Sequence, residues 1–198
     1  MENLYGNHYY RLLAFKDDLE RQLGKMEQTL EAFSGTNIID HTMSRLKSEQ
    51  SVLEKCRRKN IEPTPDNIVK GIRDLVGIRI VCTFVDDTYK VRDAIREFNS
   101  IEVVEEKDYI SNAKPNGYRS YHMIVKNKEG YFAEIQLRTI SMDTWAALEH
   151  DIKYKKDINV NKNLITAELK RCADELASCD LSMQAIRKMI EAGSGEAV

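Results

Sequence analysis

Two segments with the alternation of β-strands, residues 119–126 and 131–138, are joined by a turn at Lys128-Glu129-Gly130. So tight a connection implies neighbouring strands that run in opposite directions. A parallel pair needs a crossover of a dozen residues or more, so the sheet is mixed and not doubly wound. Residues 78–84 are apolar and β-branched and read as a buried strand, and residues 101–106 read as another. Residues 86–99 and 141–154 carry helical pattern. The expected fold class is α+β: a mixed, largely antiparallel sheet of about five strands flanked by helices.

Long helices are expected at both ends of this core. Leu12, Phe15, Leu19, Leu23, Met26, Leu30 and Phe33 recur three or four apart, an apolar stripe that breaks at Ser34-Gly35-Thr36-Asn37. A second helix is expected over residues 40–59, ended by Pro63 and Pro65. From 161 to 192, Ile165, Leu169, Cys172, Leu176, Cys179, Met183, Ile186 and Ile190 alternate spacings of four and three, a heptad seam. That helix packs either on the N-terminal helix of its own chain or against another subunit. A Gly/Ser-containing tail from Gly193 is expected to be disordered. The organisation is one domain over residues 1–198: N-terminal helices at 5–60, an α/β core at 66–156 and the C-terminal helix at 161–192.

The chemistry concentrates in three places. On the expected second helix, Lys47, Ser51, Lys55 and Arg58 fall four, four and three apart and share a face. Only Glu49 and Glu54 oppose the cations between Arg45 and Lys59, which favours a polyphosphate over a merely solvated face. Asp74 precedes the strand that holds Arg79; alone, the pair reads as an ordinary salt bridge. Glu134 interrupts an apolar strand pattern, where a carboxylate is costly to bury without a partner. Together Asp74 and Glu134 could form a two-carboxylate magnesium site. The third group is Lys107, Lys114, Asn116, Tyr118 and His122. By alternation Tyr118, Ser120 and His122 share one face, and Glu134, Gln136 and Arg138 share one on the next strand. If those faces coincide, they make a cleft with an aromatic platform, cations and an acid.

The net charge of -2 excludes general nucleic-acid affinity, so polyanion binding must come from a local patch. No apolar run would span a membrane, and the residues after Met1 lack the hydrophobic stretch of a signal peptide. Cys56, Cys82, Cys172 and Cys179 show no CxxC spacing and read as reduced thiols of a cytoplasmic protein. Neither GxxxxGK[ST] nor GxGxxG occurs, which leaves phosphate binding to side-chain cations.

Four motifs carry a resemblance: R-x-K-x3-S-x3-K from Arg45 to Lys55, D-L-V-G-I-R from Asp74 to Arg79, K-D-Y-I-x3-K-P-N-G-Y-x-S-x-H from Lys107, and E-I-Q-L-R-T from Glu134. In these residues the chain resembles the synthetase domain of the RelA/SpoT family, more closely its small single-domain alarmone synthetases. The resemblance implies a nucleotidyltransferase-like sheet and transfer of the β,γ-pyrophosphate of ATP to the 3′-hydroxyl of GDP or GTP, making ppGpp or pppGpp in the stringent response. It implies Arg45 and Arg79 against the adenine, and Lys47, Ser51, Lys55 and Arg58 on the ATP side. Asp74 and Glu134 would hold magnesium (or manganese), with Glu134 also taking the 3′-hydroxyl proton. Tyr118 would stack on guanine, with Lys107, Lys114, Asn116, His122 and Gln136 completing the acceptor side. A homotetramer is favoured. His150-Asp151 lacks the companions of the family's hydrolase site, so synthesis alone is expected. His41, Met43 and Asp143 stand where product-activated relatives carry other residues, so weak or absent product activation is expected.

Other classes stay open on the residues alone. The acceptor could be an adenine nucleotide or a tRNA 3′ end. The basic helix could serve an RNA-binding regulator, although the overall charge does not indicate RNA, and the heptad seam could serve a silent adaptor. Intact Asp74 and Glu134 argue against the last.

Overall fold

The computed structural model describes residues 3–154 and 161–195. After a 3-10 turn at Gly6–His8, helix α1 runs over Tyr9–Ser34, and Gly35 ends it in the left-handed conformation (φ 64°). Then follow strand β1 (Ile39–Leu46), helices α2 (Glu49–Lys59) and α3 (Pro65–Gly71), β2 (Val76–Cys82), α4 (Val85–Arg96), β3 (Ile101–Asp108), β4 (Tyr121–Asn127), β5 (Phe132–Thr139), α5 (Ile140–Tyr154) and α6 (Lys162–Gly195). The strands form one sheet in the order β1-β2-β5-β4-β3. Only β2 and β5 pair in parallel; the other neighbours are antiparallel, as the short hairpin between β4 and β5 requires.

The sheet has one apolar face. Val76, Ile78 and Ile80 of β2, Tyr121, Met123 and Val125 of β4, and Ala133, Ile135 and Leu137 of β5 are buried at alternate positions. They join Leu12, Phe15, Leu19 and Leu23 of α1 and Val91 and Ile95 of α4 in a single core. Each Val, Leu, Ile, Met or Phe side chain among them, taken fully from water, contributes about 1.5–3 kcal/mol. The residues between them, Gly77 and Arg79, His122 and Ile124, Glu134 and Gln136, are half-buried and look out from the opposite face. Alternation therefore sends Glu134 to the open side of the sheet, which answers the cost of a carboxylate in an apolar strand.

Several expectations change. Residues 40–46 are strand, not helix: β1 pairs with β2 from Ile39↔Cys82 to Leu46↔Val76. The second helix starts only at Glu49, where Ser48 caps it by accepting from the Ser51 amide. Lys47 therefore lies outside the helix that carries Ser51, Lys55 and Arg58. Phe33 does not extend the α1 stripe; it is 91% exposed. And α6 docks on α5 and α4, not on α1. Trp145 on α5 donates its indole N–H to the Leu169 carbonyl of α6 at 2.8 Å, and Arg187 of α6 reaches the fully buried Asp87 of α4 at 2.8 Å. The later half of the heptad seam, Met183, Ile186 and Ile190, is left exposed at 52%, 49% and 64%. α6 extends to Gly195, past the expected start of the tail at Gly193; residues 196–198 lie outside the described residues. Short α3, capped by Thr64 and opened by Pro65, was not foreseen in the segment expected only to end the previous helix.

Candidate active site

The register of the sheet builds the site. Gly77 faces Arg45 on one side and Glu134 on the other, and Glu134 faces Ile124, which faces Glu105. One step on, Met43, Arg79, Gln136, His122 and Lys107 form a parallel row. Both rows lie on the open face, and two clefts are cut into it. The first, about 710 Å³ including space open to solvent, is lined by Met43, Ser44, Arg45, Lys47, Asp74, Gly77, Ile78, Arg79, Glu134 and Gln136. The second, about 520 Å³, is lined by Glu105, Lys107, Tyr109, Lys114, His122, Ile124 and Glu134. Glu134 is shared by both.

Asp74 lies just before β2 in the first cleft. Its Oδ2 accepts from Lys47 Nζ at 3.0 Å and pairs with Lys55 Nζ at 2.7 Å. Its Oδ1 is buried and without a hydrogen-bond partner. Burial pushes the Asp74 carboxyl up, but Lys55 and Lys47 together hold it below the ordinary carboxylate range. The Lys47 backbone is fixed on both sides of its Cα: its N–H donates to Leu75 O at 2.8 Å, and its carbonyl accepts from the buried Tyr5 hydroxyl.

Glu134 Oε1 meets His122 Nδ1 at 3.3 Å, and Oε2 accepts from Gln136 Nε2 at 2.9 Å. Burial raises its affinity for a proton, while the bond and charge of His122 and the Gln136 amide lower it; the balance leaves the carboxyl below its usual range. The charge of Asp74 also reaches Glu134, as expected for two acids on one cleft. Among the described residues no three His, Cys, Asp or Glu side chains gather to cage a metal ion. Two carboxylates on one wall, one with an unpaired buried oxygen, fit magnesium, which completes its shell with water and substrate phosphates.

The other expected residues divide clearly. Lys107 and Lys114 line the second cleft with His122, and Lys114 Nζ stands 4.4 Å from the ring centre of Tyr109 and 4.8 Å from that of Tyr118. Tyr118 and Ser120 precede β4 and do not alternate with His122 as strand residues; Ser120 is fully buried and donates to Leu137 O at 3.0 Å. The Tyr118 hydroxyl binds His122 Nε2 at 2.8 Å, so the residue is joined to the site from its loop. Asn116 lines neither cleft: it bonds Glu149 on α5 at 3.2 Å and accepts from the Tyr118 amide at 3.3 Å, which shapes the loop. Ser51 serves the cap of α2, and Arg58 is exposed and lines neither cleft. His41 is exposed beside Asp40, whereas Met43 opens onto the first cleft.

Sequence reading did not single out Tyr109, and it placed Arg138 on the face of Glu134 and Gln136 without giving it a role. Tyr109 lines the second cleft and packs edge-on against His122 with ring centres 5.3 Å apart. Its signal was an aromatic residue two positions after Lys107. Arg138 is buried, not open to the cleft, and spends its guanidinium on Asp143, Tyr118 and Gln136.

This arrangement fits what the chain is similar to. The family model described as the region found in RelA / SpoT proteins matches residues 44–159. The chain belongs to the RelA/SpoT family. It is 40% identical over 190 residues to the GTP pyrophosphokinase YwaC of Bacillus subtilis, covering 91% of this chain and 90% of that protein. Among solved structures, it superposes on small alarmone synthetase 1 of Bacillus subtilis bound to its product pppGpp with a TM-score of 0.78 and 31% identity, covering 91% and 94% of the two chains. Small alarmone synthetase 2 of the same organism gives 0.77 and 39%, covering 90% and 97%.

Proposed function

We propose that this member of the RelA/SpoT family is a (p)ppGpp synthetase in which ATP occupies the first cleft, GDP or GTP the second, and Glu134 acts where they meet. The observation that carries the reading is that one carboxylate lines both clefts. A relative of this chain binds pppGpp, and the same relative has been solved with AMPCPP.

Arg45 and Arg79 border the space over Gly77, where planar, permanently charged guanidinium groups suit a stacked adenine. Lys47 and Lys55 now close on Asp74; an arriving triphosphate draws their ammonium groups to its oxygens and frees the carboxylate. Asp74 and Glu134 would hold magnesium, which when bound neutralises the triphosphate and aligns it for displacement. On the acceptor side, Tyr109 and Tyr118 offer aromatic rings, and Lys107 and Lys114 offer charge. Glu134 then takes the 3′-hydroxyl proton as the oxygen attacks the β-phosphorus. A bond forms from the 3′-oxygen to that phosphorus, the bond to the α-phosphate oxygen breaks, and AMP leaves. Positioning and charge neutralisation account for most of such a rate. Synthesis without hydrolysis is part of the proposal, as is a cytoplasmic setting; no described helix is long and apolar enough to cross a membrane.

Gly77 gives a direct test of the donor cleft. A Cβ there would meet Arg45 Cγ at 3.8 Å and Nε at 4.0 Å, ordinary contacts, so the backbone does not demand glycine. The cleft does. Gly77→Val should fold normally and raise the KM for ATP about tenfold or more, with the KM for GDP little changed, because a side chain there takes the nucleotide's room. An unchanged KM for ATP would move the donor site elsewhere.

The exposed apolar side of α6 supports a homo-oligomer, with a homotetramer favoured. Leu181, Met183, Ile186, Met189 and Ile190 are between 49% and 72% exposed, a long patch for a lone protomer. Light scattering should give an oligomer, and the double substitution Ile186→Glu with Ile190→Glu should give smaller species. A wild-type monomer would refute this assignment. Product activation is proposed to be weak. Asp143 does not face outward to repel a bound product, so that expectation now rests on His41 and Met43; a lag in synthesis abolished by added pppGpp would contradict it.

A further inference from the structure

Asp143 stands in the first turn of α5, where an exposed acid would ordinarily do no more than favour the helix N-terminus. Here it turns inward, and its side chain is only 17% exposed. Its Oδ1 forms an ion pair with Arg79 Nη1 at 3.1 Å and accepts from Arg138 Nη1 at 2.9 Å. The two guanidinium groups come from the adjacent parallel strands β2 and β5, and they repel one another: burial and the charge of Arg138 both make Arg79 a weaker base. One carboxylate oxygen holds them together.

Arg138 carries the connection onward. Its Nη2 donates to the Tyr118 hydroxyl at 2.9 Å and to Gln136 Oε1 at 2.8 Å. The same Tyr118 hydroxyl, which accepts from Arg138, also bonds His122 Nε2 at 2.8 Å. His122 Nδ1 in turn faces Glu134 Oε1 at 3.3 Å. The Gln136 amide donates to the other Glu134 oxygen. An unbroken series of polar contacts thus runs from Arg79 in the first cleft, through Asp143 and Arg138, to Tyr118 and Glu134.

We propose that Asp143 is a positioning residue for both substrates: it sets Arg79 on the donor side directly and the Tyr118 hydroxyl on the acceptor side through Arg138. The inference rests on the assignment of the two clefts to donor and acceptor nucleotides. It predicts a branched pattern of losses. Removing the carboxylate disturbs both branches, whereas removing Arg138 leaves the contact of Asp143 with Arg79 and falls chiefly on the acceptor branch.

The test measures, by calorimetry on the full chain with magnesium, the dissociation constants of a non-transferable ATP analogue and of GDP, beside melting temperature. Asp143→Ala should weaken each nucleotide about tenfold, the scale of a lost charge-assisted hydrogen bond. Asp143→Asn, nearly isosteric and safe for folding, should weaken both in the same direction but less. Arg138→Met should weaken GDP about tenfold and leave the ATP analogue within about twofold. Equal affinities in wild type and both Asp143 variants would overturn the inference, as would loss on one side only or an Arg138→Met variant that loses both nucleotides. Any of these three results with wild-type synthesis intact leaves the proposed activity standing. A wild-type chain that binds neither nucleotide would instead overturn that activity, and this inference with it.

Discussion

Glu134→Gln should leave a folded protein that makes no measurable alarmone. The substitution keeps the size of the side chain on β5 and can keep a contact with Gln136, so melting should shift by no more than about 2–4 °C. Activity is another matter. A general base contributes roughly a hundred- to ten-thousand-fold. Loss of a cation-binding oxygen on the wall shared by the two clefts adds to this, so the combined fall should exceed about ten-thousandfold. Nucleotide binding should persist, because the arginines and lysines remain. Residual synthesis within about tenfold of wild type, with the variant shown to be pure, would remove Glu134 from the mechanism.

Asp74→Asn should cost on the order of a thousandfold in rate, with a signature that Glu134→Gln lacks. Asp74 is the counter-ion for Lys47 and Lys55, and all three side chains are less than a fifth exposed. The neutral amide leaves two ammonium groups facing each other across a half-buried site. The native carboxyl is held below its ordinary range, so its contribution to stability is fully present above the unfolded carboxylate pKa. That contribution is lost as pH falls through the depressed native value. Wild type should therefore melt above the variant at pH 7, and the gap should close toward acid pH. A gap that widens on acidification would show that Asp74 is not the stabilising counter-ion.

Elements with strong internal pattern were legible in the sequence. The hairpin of β4 and β5 announced itself through the three-residue turn and the alternation on either side. Both long helices were visible in their stripes, and Asp74, Glu134, Lys107, Lys114 and His122 fall on the cleft walls as the motifs implied. What failed depended on partners distant in the chain. β1 is an edge strand with only Ile39 buried, so it shows no alternation, and its backbone bonds to β2 cannot be read locally. The heptad seam of α6 is real as a pattern, but which element it meets is a matter of tertiary packing. Asn116 carries a motif position yet spends its amide on Glu149 of α5, and Asp143, read in the sequence only for its bearing on product activation, turns inward because Arg79 and Arg138 are brought to it.

The central claim is that one carboxylate mediates transfer between nucleotides in two adjoining clefts. Incubation of the protein with magnesium, γ-labelled ATP and either GDP or GTP tests it most directly. The expected result is label in ppGpp or pppGpp, one AMP released per molecule formed, and no product when Glu134 is replaced. Label recovered as inorganic phosphate or on another acceptor, or release of ADP in place of AMP, would contradict it.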